Sequence, residues 1–318
     1  MYWLGIDIGS ISTDMVLIDE ENNIIASHYL RTAGRPAETV KEGLGLLGDK
    51  YASDEVAAVG VTGSGRHLGA AITGADVVKN EITAHGRAVA EIDPQIRTVI
   101  EIGGQDSKII IMKDGLVSDF AMNTVCAAGT GSFLDRQAAR LGVSVEKMGD
   151  IAASADRAVP IAGRCAVFAE SDMIHKQQTG VREEELMAGM CRALAVTYMS
   201  NVAKGKKLEP KICFQGGVAA NKGMKKAFEE ILDCEVTVPV QHKVMGAYGA
   251  ALLAREKNPA STRFNGFETG TADIELIEHG CRGCSNECQV ISIESGGEAR
   301  GWFGDKCGKY SSGYCRDL

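Results

Sequence analysis

The chain has 318 residues, of which 45% are hydrophobic, 24% charged and 5% aromatic, with 38 glycines and 6 prolines. That is an ordinary globular composition, long enough for roughly two domains of about 150 residues, and it favours α/β units with tight glycine turns over an all-β sandwich. A formal net charge of −8 and a pI near 5.4 argue against a nucleic-acid binder, which presents a basic face.

The chain opens with MYWLGIDIGS, which has neither the basic start nor the long apolar run of a signal peptide and reads as a first strand. No stretch reaches the roughly 18 uncharged apolar residues that a membrane span needs. A cytoplasmic location is therefore expected, where thiols stay reduced. Ten cysteines in such a chain point to metal ligands or redox chemistry rather than disulfides.

The first element is a hairpin, IDIGSISTDMVLIDEEN at 6–22, and it recurs as IEIGGQDSKIIIMKDG at 100–115. Asp7 aligns with Glu101, Gly9 with Gly103, Ser10 with Gly104 and Asp14 with Lys108. Each copy reads as an apolar strand, an acid, a glycine turn and a second apolar strand. A repeated supersecondary unit suggests a duplicated domain. Glycine tips let backbone N–H groups approach phosphates, and serine or threonine adds donors. Between the copies, GVTGSGRHLG at 60–69 lacks the Lys-Ser/Thr ending of a P-loop and reads as a strand-to-helix turn.

NTVCAAGTGSFLD (123–135) and AGRCAVFAESD (162–172) then place Cys126 and Cys165 at two helix starts. From the residues alone, these are either small buried hydrophobes or ligands. A nucleophile would need a histidine base; His175 is near, but no nucleophile signature surrounds either cysteine. Cys191, Cys213 and Cys234 fall in apolar patterns and are expected in the core. The basic run KGKK at 204–207 is a solvated loop. KICFQGGVAANKGM (211–224) reads as a strand entering Gly216-Gly217, with Asn221 in the first turn of a helix. VMGAYGAALLA (244–254) puts small residues on one helical face.

DIGS, IGGQD and GGVAAN, in that order, resemble the phosphate and adenosine motifs of the actin, sugar-kinase and heat-shock-chaperone ATPases. With the two cysteine contexts, the chain closely resembles one branch of them over residues 1–255. That branch comprises the ATP-dependent activators of 2-hydroxyacyl-CoA dehydratases, the benzoyl-CoA reductase ATPase subunits and the reductases of double-cubane cluster proteins.

The resemblance implies an α/β, duplicated ribonuclease H-like ATPase fold. The first half would span 1–94, completed by a helix from about 244–256, and the second 95–256. ATP or ADP with Mg²⁺ would lie between the halves. Asp7 would orient the hydrated Mg²⁺, and Gly9, Ser10, Ser12, Thr13, Gly103 and Gly104 would hold phosphates, with Gly129 and Gly131 also at the cofactor. Gln105 or Asp106 would position the attacking water. Gly216, Gly217 and Asn221 would border adenosine, with Gly246 and Gly249 behind it. Cys126 and Cys165 would be metal ligands, two per subunit, and a two-fold homodimer would complete one 4Fe–4S cluster.

The resemblance further implies ATP-driven, low-potential electron transfer to an iron–sulfur enzyme, which would be a dehydratase, a benzoyl-CoA-type reductase or a double-cubane protein. A ferredoxin or flavodoxin would be the donor. No nucleic acid or membrane is implied. The rival readings are a small-molecule kinase of the same fold, which needs no cysteine, and a non-redox ATP switch with a zinc tail.

The tail, 257–318, departs from compact activators. It holds Cys281, Cys284, Cys288, Cys307 and Cys315, half of the ten cysteines. C-x2-C-x3-C with a fourth cysteine 19 residues on is a metal pattern. QVISIESGGEARGWFG between them reads as strand, turn and strand, which returns Cys307 toward the first three. A second 4Fe–4S cluster is favoured over zinc in this redox setting. Either Cys307 or Cys315 would be the fourth ligand.

Overall fold

The computed structural model describes residues 1–123, 129–163 and 165–311. The chain divides into two compact units, one of Met1–Ala88 with Gly246 onward and one of Val89–Met245.

The first unit opens with β1 (Tyr2–Ile8), β2 (Ser12–Ile18) and β3 (Ile24–Arg31), then α1 (Pro36–Gly48), β4 (Val56–Thr62), α2 (Arg66–Thr73), β5 (Val77–Val78) and α3 (Glu81–Ile92). Its sheet has the order β3-β2-β1-β4-β5. The β1, β2 and β3 pairings are antiparallel, and β4 and β5 run parallel to β1.

The second unit repeats this plan. β6 (Thr98–Ile102), β7 (Ser107–Lys113) and β8 (Leu116–Asn123) form the antiparallel part. Helices α4 (Gly131–Arg140), α5 (Val145–Ser154), α6 (Ala166–Gln178) and α7 (Glu183–Asn201) follow. Then come β9 (Ile212–Gln215), α8 (Lys222–Leu232) and β10 (Val236–Thr237), after which α9 (Met245–Lys257) belongs, from Gly246 on, to the first unit. The sheet order is β10-β9-β6-β7-β8, with β9 and β10 parallel to β6. The duplication read from two hairpins is thus a duplication of the whole sheet. The copies differ in their insertion: among the described residues, α1 and one 3₁₀ turn at Ser53–Glu55 separate β3 from β4, whereas four α-helices separate β8 from β9, and both Cys126 and Cys165 belong to that longer segment of sequence.

Strand alternation decides what each face carries. Leu4, Ile6 and Ile8 are fully buried with Val40, Leu44 and Leu47 of α1 and Ile72 of α2. The odd positions of β1 face α9, and Gly5 and Gly60 let its backbone come so close that a Cβ would stand 1.9 and 2.1 Å from the carbonyls of Ala247 and Ala250. In the second unit, Ile100, Ile102 and Phe214 pack with Tyr198 of α7 and Phe228 of α8. Phe228 meets Tyr198 and Phe214 edge-on at 5.5 and 5.2 Å. Cys191 and Cys213 are buried here as expected, and burial pushes each thiol up to about 12. Cys234 is partly buried against the same core.

Past α9 the chain forms a third sheet of β11 (Glu275–Gly280), β12 (Gln289–Ser295) and β13 (Glu298–Phe303), all antiparallel. The strand–turn–strand reading of the tail corresponds to β12, Gly296-Gly297 and β13; β11 has no counterpart in that reading. The tail belongs to the first unit rather than standing apart. Phe267 and Ile293 are buried in the core of β1 and α1, with Phe264, Ile274 and Phe303 packed on it. Among the described residues, no helix is long and apolar enough to cross a membrane.

Candidate functional site

The two hairpin tips are built alike. Asp7 pairs with Asp14 across β1 and β2, and Glu101 with Lys108 across β6 and β7. Gly9 N–H donates to the carbonyl of Ser12 at 2.8 Å, and Gly103 N–H to that of Asp106 at 3.0 Å. Ser10 and Gln105 are exposed at their tips, while Gly9, Ser12, Gly103, Gly104 and Asp106 are half-buried. Thr13 is fully buried, and its hydroxyl is bonded to that of Thr32 at 3.0 Å, which donates to the Gly9 carbonyl at 2.9 Å. Thr13 thus braces the first tip from behind.

Asp7 sits in a pocket that only glycine leaves open. A Cβ at Gly63 would stand 2.4 Å from Asp7 Oδ1, and one at Gly246 1.9 Å from Oδ2. Gly63 also has φ +89°, strained for any other residue. So Gly246 lies against the predicted Mg²⁺-orienting carboxylate, and Gly249 serves packing, its Cα facing the Ala84 carbonyl of α3. Gly63 was not singled out in the sequence; its signal was the glycine turn after β4.

In the second unit Glu101 occupies the equivalent place, and Gly216 makes room for it. A Cβ there would be 2.7 Å from Glu101 Oε1, and φ is +88°. Gly216 donates to the His242 carbonyl at 2.8 Å, and its own carbonyl lies 3.0 Å from His242 Nδ1. Gly217 begins a short 3₁₀ turn over Gly217–Ala220. Asn221 caps α8, its Oδ1 accepting from Met224 N–H at 3.0 Å; it is 3% exposed and packs on Gly149, so its local role is structural. Lys108, absent from the predicted site, lies with its ammonium 3.0 Å from Glu101 and 2.8 Å from Asp106.

The second tip is also joined to the cysteine-bearing segment. Gly131 and Ser132, the first residues of α4, donate their N–H groups to the carbonyls of Gly103 and Gly104, each at 2.9 Å. The Ser132 hydroxyl also donates to Gly104. Gly129 lies beside Asn123 and Ser107. Cys126, five residues before Gly131, lies outside the described residues.

Cys165 is the N-cap residue of α6, half-buried, with its side chain unused in capping. The strand of chain leading to it is laid on α7, where Thr197 donates to the Gly163 carbonyl at 3.0 Å. The positive end of a 13-residue helix thus meets this sulfur. Around it, Val167 and Phe168 are 64% and 68% exposed, Val196 is 44% exposed, and a cavity of about 870 Å³ opens beside them.

In the tail, Cys281, Cys284 and Cys288 fall between β11 and β12, and Cys307 after β13, so all four leave the same end of the third sheet. Cys281 N–H donates to the Cys288 carbonyl at 2.9 Å and closes the loop. Gly283 N–H points at Cys281 Sγ from 3.5 Å, and Asn286 Nδ2 at Cys284 Sγ from 3.7 Å. Asp305 fixes the Cys307 loop by accepting from Tyr310 and Ser311 N–H at 2.8 and 3.3 Å. Burial opposes its ionisation, but these bonds hold its pKa below the ordinary value. Among the described residues, no three His, Cys, Asp or Glu side chains are gathered as metal ligands, so the tail sulfurs share an edge without converging. Cys315 lies outside the described residues.

Residues 4–254 match the profile of the BadF/BadG/BcrA/BcrD ATPase family. The 2-hydroxyisocaproyl-CoA dehydratase activator of Clostridioides difficile is 34% identical over 268 residues, covering 83% of this chain and 98% of that one. The crystal structure of component A of the Acidaminococcus fermentans (R)-2-hydroxyglutaryl-CoA dehydratase gives a TM-score of 0.75 at 33% identity, covering 81% of this chain and 99% of that one. An activator of the 2-hydroxyisocaproyl-CoA dehydratase from Clostridium difficile with bound ADPNP gives 0.74 at 34%, covering 81% and 96%. At the level of fold alone, a sugar kinase of Streptomyces griseus matches at a TM-score of 0.50 and 14% identity, covering 80% and 100%.

Proposed function

The chain belongs to the BadF/BadG/BcrA/BcrD ATPase family, and from that premise we propose that it is an ATP-driven reductase that passes single electrons to a partner iron–sulfur enzyme. The observation that carries the reading is the bonding of Gly131 and Ser132 to Gly103 and Gly104, because it ties a phosphate-binding tip to the segment that begins with Cys126.

The nucleotide requirement fits the residues described. Each unit offers a tip with backbone N–H groups, and glycines at 63, 246 and 216 leave room for a carboxylate beside each. Asp7 would orient a hydrated Mg²⁺, since that ion keeps several waters and takes one or two carboxylates. Gly9, Ser10, Ser12, Gly103 and Gly104 line the tips and bind phosphates. Asp106, or the exposed Gln105, positions the attacking water. Gly216 and Gly217 border the adenosine.

The cluster requirement fits at the residue that can be tested. Cys165 offers an uncommitted sulfur at a helix start, and apolar side chains exposed around it suit a contact with a second copy or a partner. With Cys126 each chain supplies two thiolates, so a two-fold dimer supplies the four that a cubane needs. A 4Fe–4S cluster there supplies a one-electron carrier. A change of phosphate state at Gly103-Gly104 moves α4 and thereby the Cys126 segment. The two states interconvert only because the nucleotide binds them unequally. A dehydratase-like or double-cubane enzyme is the acceptor, and a ferredoxin or flavodoxin the donor. The tail cysteines are the ligands of a second metal site, 4Fe–4S in preference to zinc, for which their sulfurs, now spread along one end of the third sheet, would have to draw together. The N–H groups aimed at Cys281 and Cys284 sulfurs suit thiolate ligands.

Iron analysis of anaerobically purified variants tests this. Cys126→Ser and Cys165→Ser would each remove about two Fe per chain, half a shared cubane. A Cys165→Ser protein with wild-type iron would refute the assignment.

A further inference from the structure

The two tips match in pairing but not in charge. Asp7, Ser12 and Asp14 of the first stand where Glu101, Asp106 and Lys108 stand in the second. Two carboxylates and a hydroxyl are replaced by two carboxylates and an ammonium.

The Lys108 side chain is 5% exposed and lies 3.0 Å from Glu101 Oε2 and 2.8 Å from Asp106 Oδ2. Burial alone would lower its pKa, but the two carboxylates outweigh burial and hold it above the ordinary lysine value. Its carbonyl is fixed as well, accepting from the Tyr198 hydroxyl at 2.7 Å. Asp106 is divided. Its Oδ2 meets the ammonium, while Oδ1 lies over the tip, 2.8 Å from where a Cβ of Gly103 would be. The Asp106 side chain is 36% exposed, so the oxygen held on the tip side is within reach of solvent.

We propose that Lys108 is a positioning residue for ATP hydrolysis, a built-in cation that holds Asp106 aimed at the second tip and excludes a divalent ion from that half. The chain then binds one divalent ion per nucleotide, on the Asp7–Asp14 side. The assignment rests on the ATPase reading of the tips. Mg²⁺ binds carboxylates while keeping its waters. At Glu101 and Asp106 it would have to enter beside an ammonium already bonded to both. An ammonium carries no coordinated water, so it orients Asp106 without offering a competing nucleophile.

The test uses the full chain, purified anaerobically, with Lys108→Met and Asp106→Asn. Mn²⁺ bound in the presence of ADPNP is counted by EPR, and one ion per wild-type chain is expected; two would overturn the proposal. Lys108→Met is expected to lower kcat about 100-fold, the cost of a misplaced catalytic group, with KM for ATP within about threefold. A lysine that served folding alone would lower Tm and leave the kcat of the folded protein unchanged. If Lys108→Met fails to fold, Asp106→Asn keeps the Lys108–Glu101 pair and must show the same loss of kcat; wild-type kcat in it overturns the proposal. A wild-type chain that hydrolyses no ATP would instead sink the ATPase reading itself.

Discussion

Gly246 serves the site through its missing Cβ. In an exposed helix interior, Gly→Ala stabilises by about 0.5–1 kcal/mol. Here the added methyl would stand 1.9 Å from Asp7 Oδ2. Gly246→Ala is therefore expected to keep or raise helicity while ATP turnover falls about 100-fold through displacement of Asp7; circular dichroism and an ATPase assay read the two effects separately. His242 sets a pH limit on the Gly216 turn. Burial lowers its pKa below the ordinary 6.5, the Gly216 hydrogen bond opposes this in part, and Lys243 lowers it further. A lowered pKa means the folded chain binds fewer protons, so this contribution is complete above pH 6.5 and is lost as the pH falls below it. Melting temperature should drop across that window more steeply in the wild type than in His242→Gln. At this scale the sequence was legible in part. Asp7 and Glu101 stood out by alignment, because glycine and an acid recur at one spacing. Lys108 stood in the same alignment opposite Asp14, but a lysine in an apolar strand carries no sign of which acids it meets. A run of hydroxyl residues reads as a donor set, and the sequence carries no sign that the Thr13 hydroxyl is bonded to that of Thr32.

Among the elements, α4 and the third sheet carry the most. The first N–H groups of a helix are unpaired within it, and α4 gives two of them to the carbonyls of Gly103 and Gly104. That makes α4 an extension of the second hairpin tip, a connection no spacing in the sequence reveals. The third sheet draws the tail into the first unit. Phe267 is 5% exposed, stacked edge-on with Phe264 at 5.1 Å, and a Cβ at Gly48 of α1 would be 2.7 Å from its Cβ. Phe267→Ala is expected to cost about 3–5 kcal/mol, measured as a lower Tm of the full chain; an unchanged Tm would mean that the tail is only tethered. The turn at Gly296-Gly297 and its flanking strands were legible from alternation. β11 was not, because ELIEHG is short, and its half-exposed edge position leaves little apolar pattern.

For the whole molecule, duplication was the strongest message in the sequence, and it extends to two five-stranded sheets of one order. Among the described residues, four α-helices interrupt the second copy between β8 and β9, and the two cysteines proposed to hold iron both fall in that stretch of sequence. The ATPase half of the account rests on residues that recur in both copies, and the redox half on residues that only one copy has. EPR of the anaerobically purified, dithionite-reduced chain, recorded with and without MgATP, tests the link between them most directly. The account predicts a reduced 4Fe–4S signal with a component whose shape changes on adding MgATP, and that component is lost in Cys165→Ser. A wild-type protein without that signal, or one in which MgATP leaves it unchanged, would contradict it.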